Sequence, residues 1–252
     1  MVEIQNLTAG YGRETVLHDI SFTAEAGRIT TILGQNGCGK STLLKAIAGT
    51  LPSDGAILLD GQDAKNLSPQ ERAKRIAYLS QGKNVPEITV GRLVLHGRFP
   101  YLRYPRQYRE ADHRIAEEAM AQMGITALAD KPMATLSGGM RQKAYIAMAL
   151  AQQSPVILMD EPTTYLDIGQ QMKFAQMARD LARGGKTMIL VLHDIALALR
   201  ISDRILVLDS GTVRASGTGT EILASGILEQ IYGVRIRCAE SQRGTQYYYE
   251  MD

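Results

Sequence analysis

Three shortages set limits on this 252-residue chain. It holds only two cysteines, Cys38 and Cys238, so at most one pair could form and no disulfide framework supports the fold. That usage points to a reducing cytoplasm. Its 28 basic and 26 acidic residues leave a formal net charge of +2, too little to hold nucleic acid by counterion release. Long apolar runs are missing as well. The most apolar stretches, Val156–Met159 and Met188–Leu192, are closed by Asp160 and His193, well short of the roughly 20 residues that a spanning helix needs. The opening Met-Val-Glu-Ile-Gln-Asn has neither the basic cluster nor the apolar stretch of an export signal, so the chain is expected to remain inside the cell. Any membrane role is then peripheral.

What is present is a chain long enough to bury a substantial core without crosslinks, as one α/β domain with an inserted lobe or as two small domains. Short apolar runs bounded by Gly, Pro or Asp alternate with longer helical patterns, the signature of βαβ units and a mainly parallel sheet. Strands are predicted near Val2–Leu7, Ile29–Leu33, Ala56–Leu59, Ile76–Leu79, Val156–Met159, Thr187–Leu192 and Arg204–Leu208. Between about Gly82 and Gln153 the strand signal fades, and helices are predicted over Arg109–Met123 and Gly138–Gln153. In the first of these, Ile115, Ala119 and Met123 mark a buried face at four-residue spacing. Residues 1–82 and 154–230 are therefore read as the core, 83–153 as an inserted helical lobe and 231–252 as a C-terminal extension. Thr245–Tyr249 reads as a terminal strand.

The strongest chemical signal is Gly34-Gln-Asn-Gly-Cys-Gly-Lys40-Ser41-Thr42, which fits G-x-x-x-x-G-K-[ST], follows an apolar strand and opens a helix. Gly34, Asn36, Gly37, Cys38 and Gly39 supply a loop whose N–H groups turn inward around phosphate oxygens, and the helix dipole adds to the attraction. Lys40 is expected on the β- and γ-phosphates, Ser41 on Mg²⁺ and Thr42 on the α-phosphate. The Cys38 thiol, set among phosphate-facing amides, is expected to have a lowered pKa, and its alkylation to block nucleotide binding. A Gly-rich turn without function is the weaker reading, because the strand and helix flank the motif as required. Val156-Ile-Leu-Met-Asp160-Glu161 delivers two acids at a strand carboxyl end, where ligands of such sheets sit. Asp160 is placed to hold the Mg²⁺ shell and Glu161 to deprotonate the attacking water.

These two motifs are shared by kinases, GTPases and helicases. Leu136-Ser137-Gly138-Gly139-Met140-Arg141-Gln142 separates the candidates, since Ser137 stands in N-cap position before a second helix whose exposed N–H groups suit an anion. With these residues in this order, the chain resembles the ATP-binding cassette (ABC) family over essentially its full length. The resemblance implies a P-loop α/β fold with a mixed, mainly parallel central sheet, an antiparallel β subdomain and an inserted α-helical subdomain. It implies ATP and Mg²⁺ as ligands and ATP hydrolysis coupled to transport as the activity. By the same resemblance Tyr11 stacks on adenine, Gln81 bridges Mg²⁺ and the hydrolytic water, His193 bonds the γ-phosphate and positions Glu161, and Asp167 links the two sites of a pair. Two copies pair head to tail, each ATP lying between one chain's cradle and the other's Ser137-Gly138-Gly139.

Met140 and Tyr165 depart from the family pattern, which has Gln or Glu at the first and a small residue at the second. His96-Gly-Arg-Phe-Pro-Tyr101 and Glu229-Gln-Ile-Tyr-Gly233 resemble importers of iron chelates (siderophores), haem and cobalamin. That implies separate transmembrane permease subunits, a substrate-binding protein acting through them, no nucleic-acid partner, and a place on the cytoplasmic face of the inner membrane. Lys83, Arg92, Arg98, Arg103, Arg106 and Arg109 make the lobe's front basic, either as a solvated face or as the dock for a permease helix. Other cargo, such as a metal oxyanion, or an exporter remain alternatives. A soluble ABC protein acting on nucleic acid or ribosomes fits less well, because such proteins carry two cassettes or a coiled-coil arm. A P-loop kinase would leave Ser137–Gly139 unexplained.

Overall fold

The apolar runs become strands because their residues alternate between two hydrophobic cores. In the computed structural model, which describes residues 1–81, 85–241 and 244–250, Val156 and Leu158 face one core while Ile157 and Met159 face the other. Such two-sided burial is what a central parallel strand requires. The main sheet has the order β10 (Thr212–Gly217), β9 (Arg204–Asp209), β3 (Ile29–Leu33), β8 (Thr187–Val191), β7 (Val156–Asp160) and β6 (Ile76–Leu79). Only β10–β9 is antiparallel; the other four pairings are parallel.

A second sheet, wholly antiparallel, runs β2 (Glu14–Ala24), β1 (Val2–Tyr11), β4 (Ser53–Leu59) and β5 (Gln62–Asp63). It closes one core over α1 (Lys40–Ala48), whose Leu43, Leu44 and Ile47 are buried there. Helix α2 (Pro69–Arg75) opens on a Ser68–Glu71 capping box and leads into β6. The expected helical lobe follows: α3 (Val90–His96), α4 (Glu110–Gln122) and α5 (Gly138–Ala151) pack on one another, and no named strand interrupts them among the described residues. Gly82 and Lys83, at the lobe's predicted boundary, lie outside the described residues. On α4 the deeply buried positions are Asp112, Ala116, Ala119 and Met120, while Ile115 and Met123 sit at the edge of the core.

The lobe corrects the reading of its basic front at Arg98. That guanidinium is buried, 6% exposed. Its Nε donates to Asp112 Oδ1 at 3.0 Å, and its Nη1 donates to both Ala151 O and Gln153 Oε1. Arg98 pins α4 to the end of α5, whereas Arg103 and Arg106 remain exposed. The chain then returns through α6 (Ile168–Arg183), α7 (Ile195–Ile201), α8 (Gly219–Ala224) and α9 (Ile227–Tyr232) to a hairpin of β11 (Arg235–Ser241) and β12 (Gly244–Glu250). That hairpin contains the predicted Thr245–Tyr249 strand and packs on α7. No helix among the described residues is long and apolar enough to cross a membrane.

Candidate active site

The cradle lies between the end of β3 and the start of α1. A Cβ at Gly34 would stand 2.1 Å from the Leu208 carbonyl oxygen, so only glycine fits there. Gly39, at φ 105°, turns the chain into α1 with no side-chain cap and no acid in the first turn. The first-turn N–H groups therefore keep their affinity for an anion. Lys40 is folded inward, its Nζ donating to Gly34 O and Gln35 O at 2.8 Å each. These are neutral acceptors, weaker partners for an ammonium than phosphate oxygens. Asn36 and Gly37 are exposed at the loop tip, and Thr42 is buried. Half-exposed Tyr11 leans over the cradle, where its hydroxyl accepts from Lys45 Nζ at 3.2 Å. Partial burial opposes its ionisation, but hydrogen bonding with Thr42 and Lys45 and the Lys45 charge win, lowering the phenol pKa.

Cys38 does not behave as expected. Its thiol is buried, 6% exposed, beside Gly34, and belongs to the hydrophobic core closed by α1. Burial pushes its pKa up, against the pull of Lys40.

Strand β7 delivers Asp160 next to the cradle. The carboxylate is 3% exposed, it faces the Ser41 hydroxyl, and its Oδ1 has no hydrogen-bond partner. Burial raises its pKa and the neighbouring Glu161 adds to this, while Ser41, Lys40 and Lys45 oppose. A buried, unpartnered carboxylate oxygen beside a hydroxyl is the hard donor set that a divalent cation takes. The residues thus fit Mg²⁺.

One residue on, Glu161 adopts φ 53°, a left-handed conformation costing about 1–2 kcal/mol in a non-glycine residue. Its N–H donates to Val191 O. The turn presents the carboxylate to three side chains from separate segments. Gln81 Nε2 donates to Oε2 at 2.6 Å, His193 Nε2 lies 2.5 Å from Oε1, and the Thr164 hydroxyl donates to Oε2 at 3.4 Å. Gln81, Glu161 and His193, up to 112 residues apart in sequence, therefore form one cluster at the carboxyl ends of β6, β7 and β8.

Ser137, Gly138 and Gly139 are not part of that cluster. The Ser137 hydroxyl accepts from Met140 N–H at 3.4 Å and caps α5 as predicted. The two glycines lie against Tyr165 and Gln170, none of them cradle residues. Asp167 caps α6, its Oδ1 accepting from Gln170 N–H at 2.8 Å. Sequence reasoning missed Thr164 at Glu161, Lys45 at Tyr11, and Tyr232, whose hydroxyl accepts the Gly34 N–H at 2.7 Å. Thr164 and Lys45 carry no motif, and Glu229–Gly233, which holds Tyr232, was read only as an importer-like segment, so each contact is found only by proximity.

The chain's residues 17–164 match the family model described as ABC transporter. The ferric enterobactin transport ATP-binding protein FepC of Escherichia coli (strain K12) is 41% identical over 234 residues, covering 92% of this chain and 86% of that one. Among solved structures, an inward-facing ABC transporter of metal-chelate type superposes with a TM-score of 0.84 at 27% identity, over 99% of this chain and 96% of its counterpart. A dimeric bacterial ABC transporter cassette superposes with a TM-score of 0.77 at 29% identity, over 86% and 98%. A phosphate cradle, a paired-acid strand end and a capped Ser-Gly-Gly helix, joined to a family match over more than half the chain, identify it as a member of the ABC transporter family, an ATP-binding subunit that hydrolyses ATP.

Proposed function

We propose that the chain drives import of a ferric siderophore or a related metal chelate such as haem or cobalamin, through separate membrane subunits, as one of two identical cassettes. The observation that carries the catalytic half is the Glu161 carboxylate, gripped by Gln81 and His193 one residue after Asp160. Ser41 and Asp160 would hold Mg²⁺, with Gln81 completing the set through its carbonyl oxygen. When bound, the ion would supply positive charge to the phosphate oxygens. Lys40 and the first-turn N–H groups of α1 orient the phosphates. Glu161 accepts the proton of the attacking water, worth about a hundred- to ten-thousandfold in rate. His193 and Gln81 hold Glu161 in place and sense the γ-phosphate. Tyr11 supports the adenine.

Head-to-tail pairing supplies Ser137, Gly138 and Gly139 of one copy to the nucleotide of the other, since one chain carries two anion-binding helix starts that do not meet within it. Permease docking falls to the groove of about 890 Å³ between α2 and residues 99–106. Its rim carries exposed Phe99 and Tyr104 with Arg103 and Arg106, an apolar floor with a cationic edge suited to a short helix. Lys83, outside the described residues, has no part in this assignment. Chelate cargo is supported by the ferric enterobactin and metal-chelate relatives. The test is ATPase activity of the chain reconstituted with its permease in vesicles. A loaded chelate-binding protein should stimulate turnover; stimulation by an oxyanion-binding protein alone would overturn the cargo assignment.

A further inference from the structure

The C-terminal extension touches the nucleotide site at two places, one of them within the Glu229–Gly233 segment and neither explained by a nucleotide-binding motif. From α9, the Tyr232 hydroxyl accepts the N–H of Gly34, the first residue of the cradle, and Ile231 O accepts from the Gln35 side-chain amide. From β12, the Tyr249 hydroxyl faces the N–H groups of Ile195 and Ala196. Those open α7, two and three residues after His193, beside Asp194, whose carboxylate caps the same helix through Leu197 N–H at 3.0 Å.

The extension is itself fixed. Leu228 and Ile236 are buried in the main core. Glu229 binds Arg237 at 3.0 Å and Arg237 binds Glu250 at 3.2 Å, tying α9 to both strands of the hairpin. Both tyrosine hydroxyls stay protonated at neutral pH, since burial raises each pKa, Tyr232 to about 12. They can therefore act as stable, neutral acceptors for backbone N–H groups.

We propose that the C-terminal extension is a positioning element of the ATPase site, in which Tyr232 sets the entry of the cradle through Gly34 and Tyr249 sets the segment that carries His193. The extension then holds the loop that grips phosphate and the histidine that serves Glu161 at a fixed separation. Neither tyrosine touches the reacting atoms. The inference rests on the assignment of Gly34–Thr42 and His193 to the nucleotide.

Removing either hydroxyl while keeping its ring separates this role from packing. In the full-length chain, Tyr232→Phe leaves the Gly34 N–H without its acceptor and should raise both KM and Kd for ATP about fivefold, the scale of one net hydrogen bond, with kcat nearly unchanged. Tyr249→Phe should lower kcat by about the same factor with KM nearly unchanged, because only the His193 segment loosens. The thermal midpoint is measured alongside. Two wild-type variants, or losses in both constants that merely follow a fall in midpoint, would overturn the proposal. Lys40→Ala is the control: if it binds and hydrolyses ATP normally, the assignment of the site itself fails. If Lys40→Ala is inactive and both tyrosine variants are silent, only the positioning role fails.

Discussion

Replacing Arg98 by Met tests whether the lobe's arginines divide into structural and docking groups. The change removes the guanidinium partner of Asp112, a carboxylate 8% exposed, leaving it only the Arg109 N–H at 3.0 Å. Breaking a buried pair by deleting one member costs about 3–5 kcal/mol, a large part of a total stability of about 5–15 kcal/mol. Ala151 O and Gln153 Oε1 lose a donor too. The double variant Arg98→Met/Asp112→Leu should recover most of the loss, because well-packed apolar residues replace a buried pair at little cost. Urea unfolding followed by circular dichroism measures both. A single-variant loss below about 1 kcal/mol, the scale of a surface pair, or a double variant weaker than the single, would refute the reasoning. Acid gives an independent check. Burial resists ionisation of Asp112, yet the Arg109 N–H and the Arg98 guanidinium outweigh it and hold the pKa below its ordinary value. The native state then binds its proton at lower pH than the unfolded chain does. The stabilisation is present above the ordinary carboxylate range and is lost as pH falls below about 4. Asp112→Asn should remove that part of the acid sensitivity. Arg103→Glu, at an exposed position, should leave stability within about 0.5 kcal/mol while lowering permease-coupled ATPase.

Glu161→Gln keeps the side chain's shape but removes its basicity, so turnover should fall about a hundred- to ten-thousandfold while ATP binding persists. Light scattering should then show an ATP-dependent dimer, and retained turnover would falsify the assignment of Glu161 as base. Iodoacetamide at neutral pH should modify exposed Cys238 well before buried Cys38, whose raised pKa leaves little thiolate; mass spectrometry showing Cys38 modified first would contradict the burial.

The parallel strands were legible because alternating burial against two cores demands short continuous apolar runs, and β7 and β8 have little else. Strand β2 was not foreseen. Its Leu17, Ile20, Phe22 and Ala24 are buried, but exposed polar residues separate them and the pairing with β1 shifts register three times. A strict period of two is lost wherever the register slips. The cradle, the acids and the Ser137 cap were readable because each contact is local to its motif. Glu161's partners were readable only through family order, since Gln81 and His193 carry no local signal. Tyr232 lies 198 residues from Gly34, so only the return path of the chain reveals it. Cys38 and Arg98 were misread for one reason: sequence gives the neighbours of a backbone, not the direction of a side chain.

Direction matters most where Tyr165 replaces a small residue. It sits at φ 71° and is 77% exposed. A Cβ on Gly138 would lie 3.3 Å from the Tyr165 Cβ, and one on Gly139 would lie 3.0 Å from Gln170 Oε1 and 3.2 Å from Tyr165 O. Gln142 Nε2 also donates to Pro162 O at 3.0 Å. The start of α5 is thus fitted against residues 162–170, which begin immediately after Glu161 and include the α6 cap Asp167. In the pairing proposed above, Ser137–Gly139 grips the partner's nucleotide, so that grip cannot shift without moving the segment attached to the chain's own Glu161. On that pairing, closure at one site would be conveyed to the base of the other. Tyr165 carries left-handed strain of about 1–2 kcal/mol, and a Cβ at Gly138 would need the tyrosine root, 3.3 Å away, to give by a few tenths of an ångström, so glycine keeps the two segments in close register.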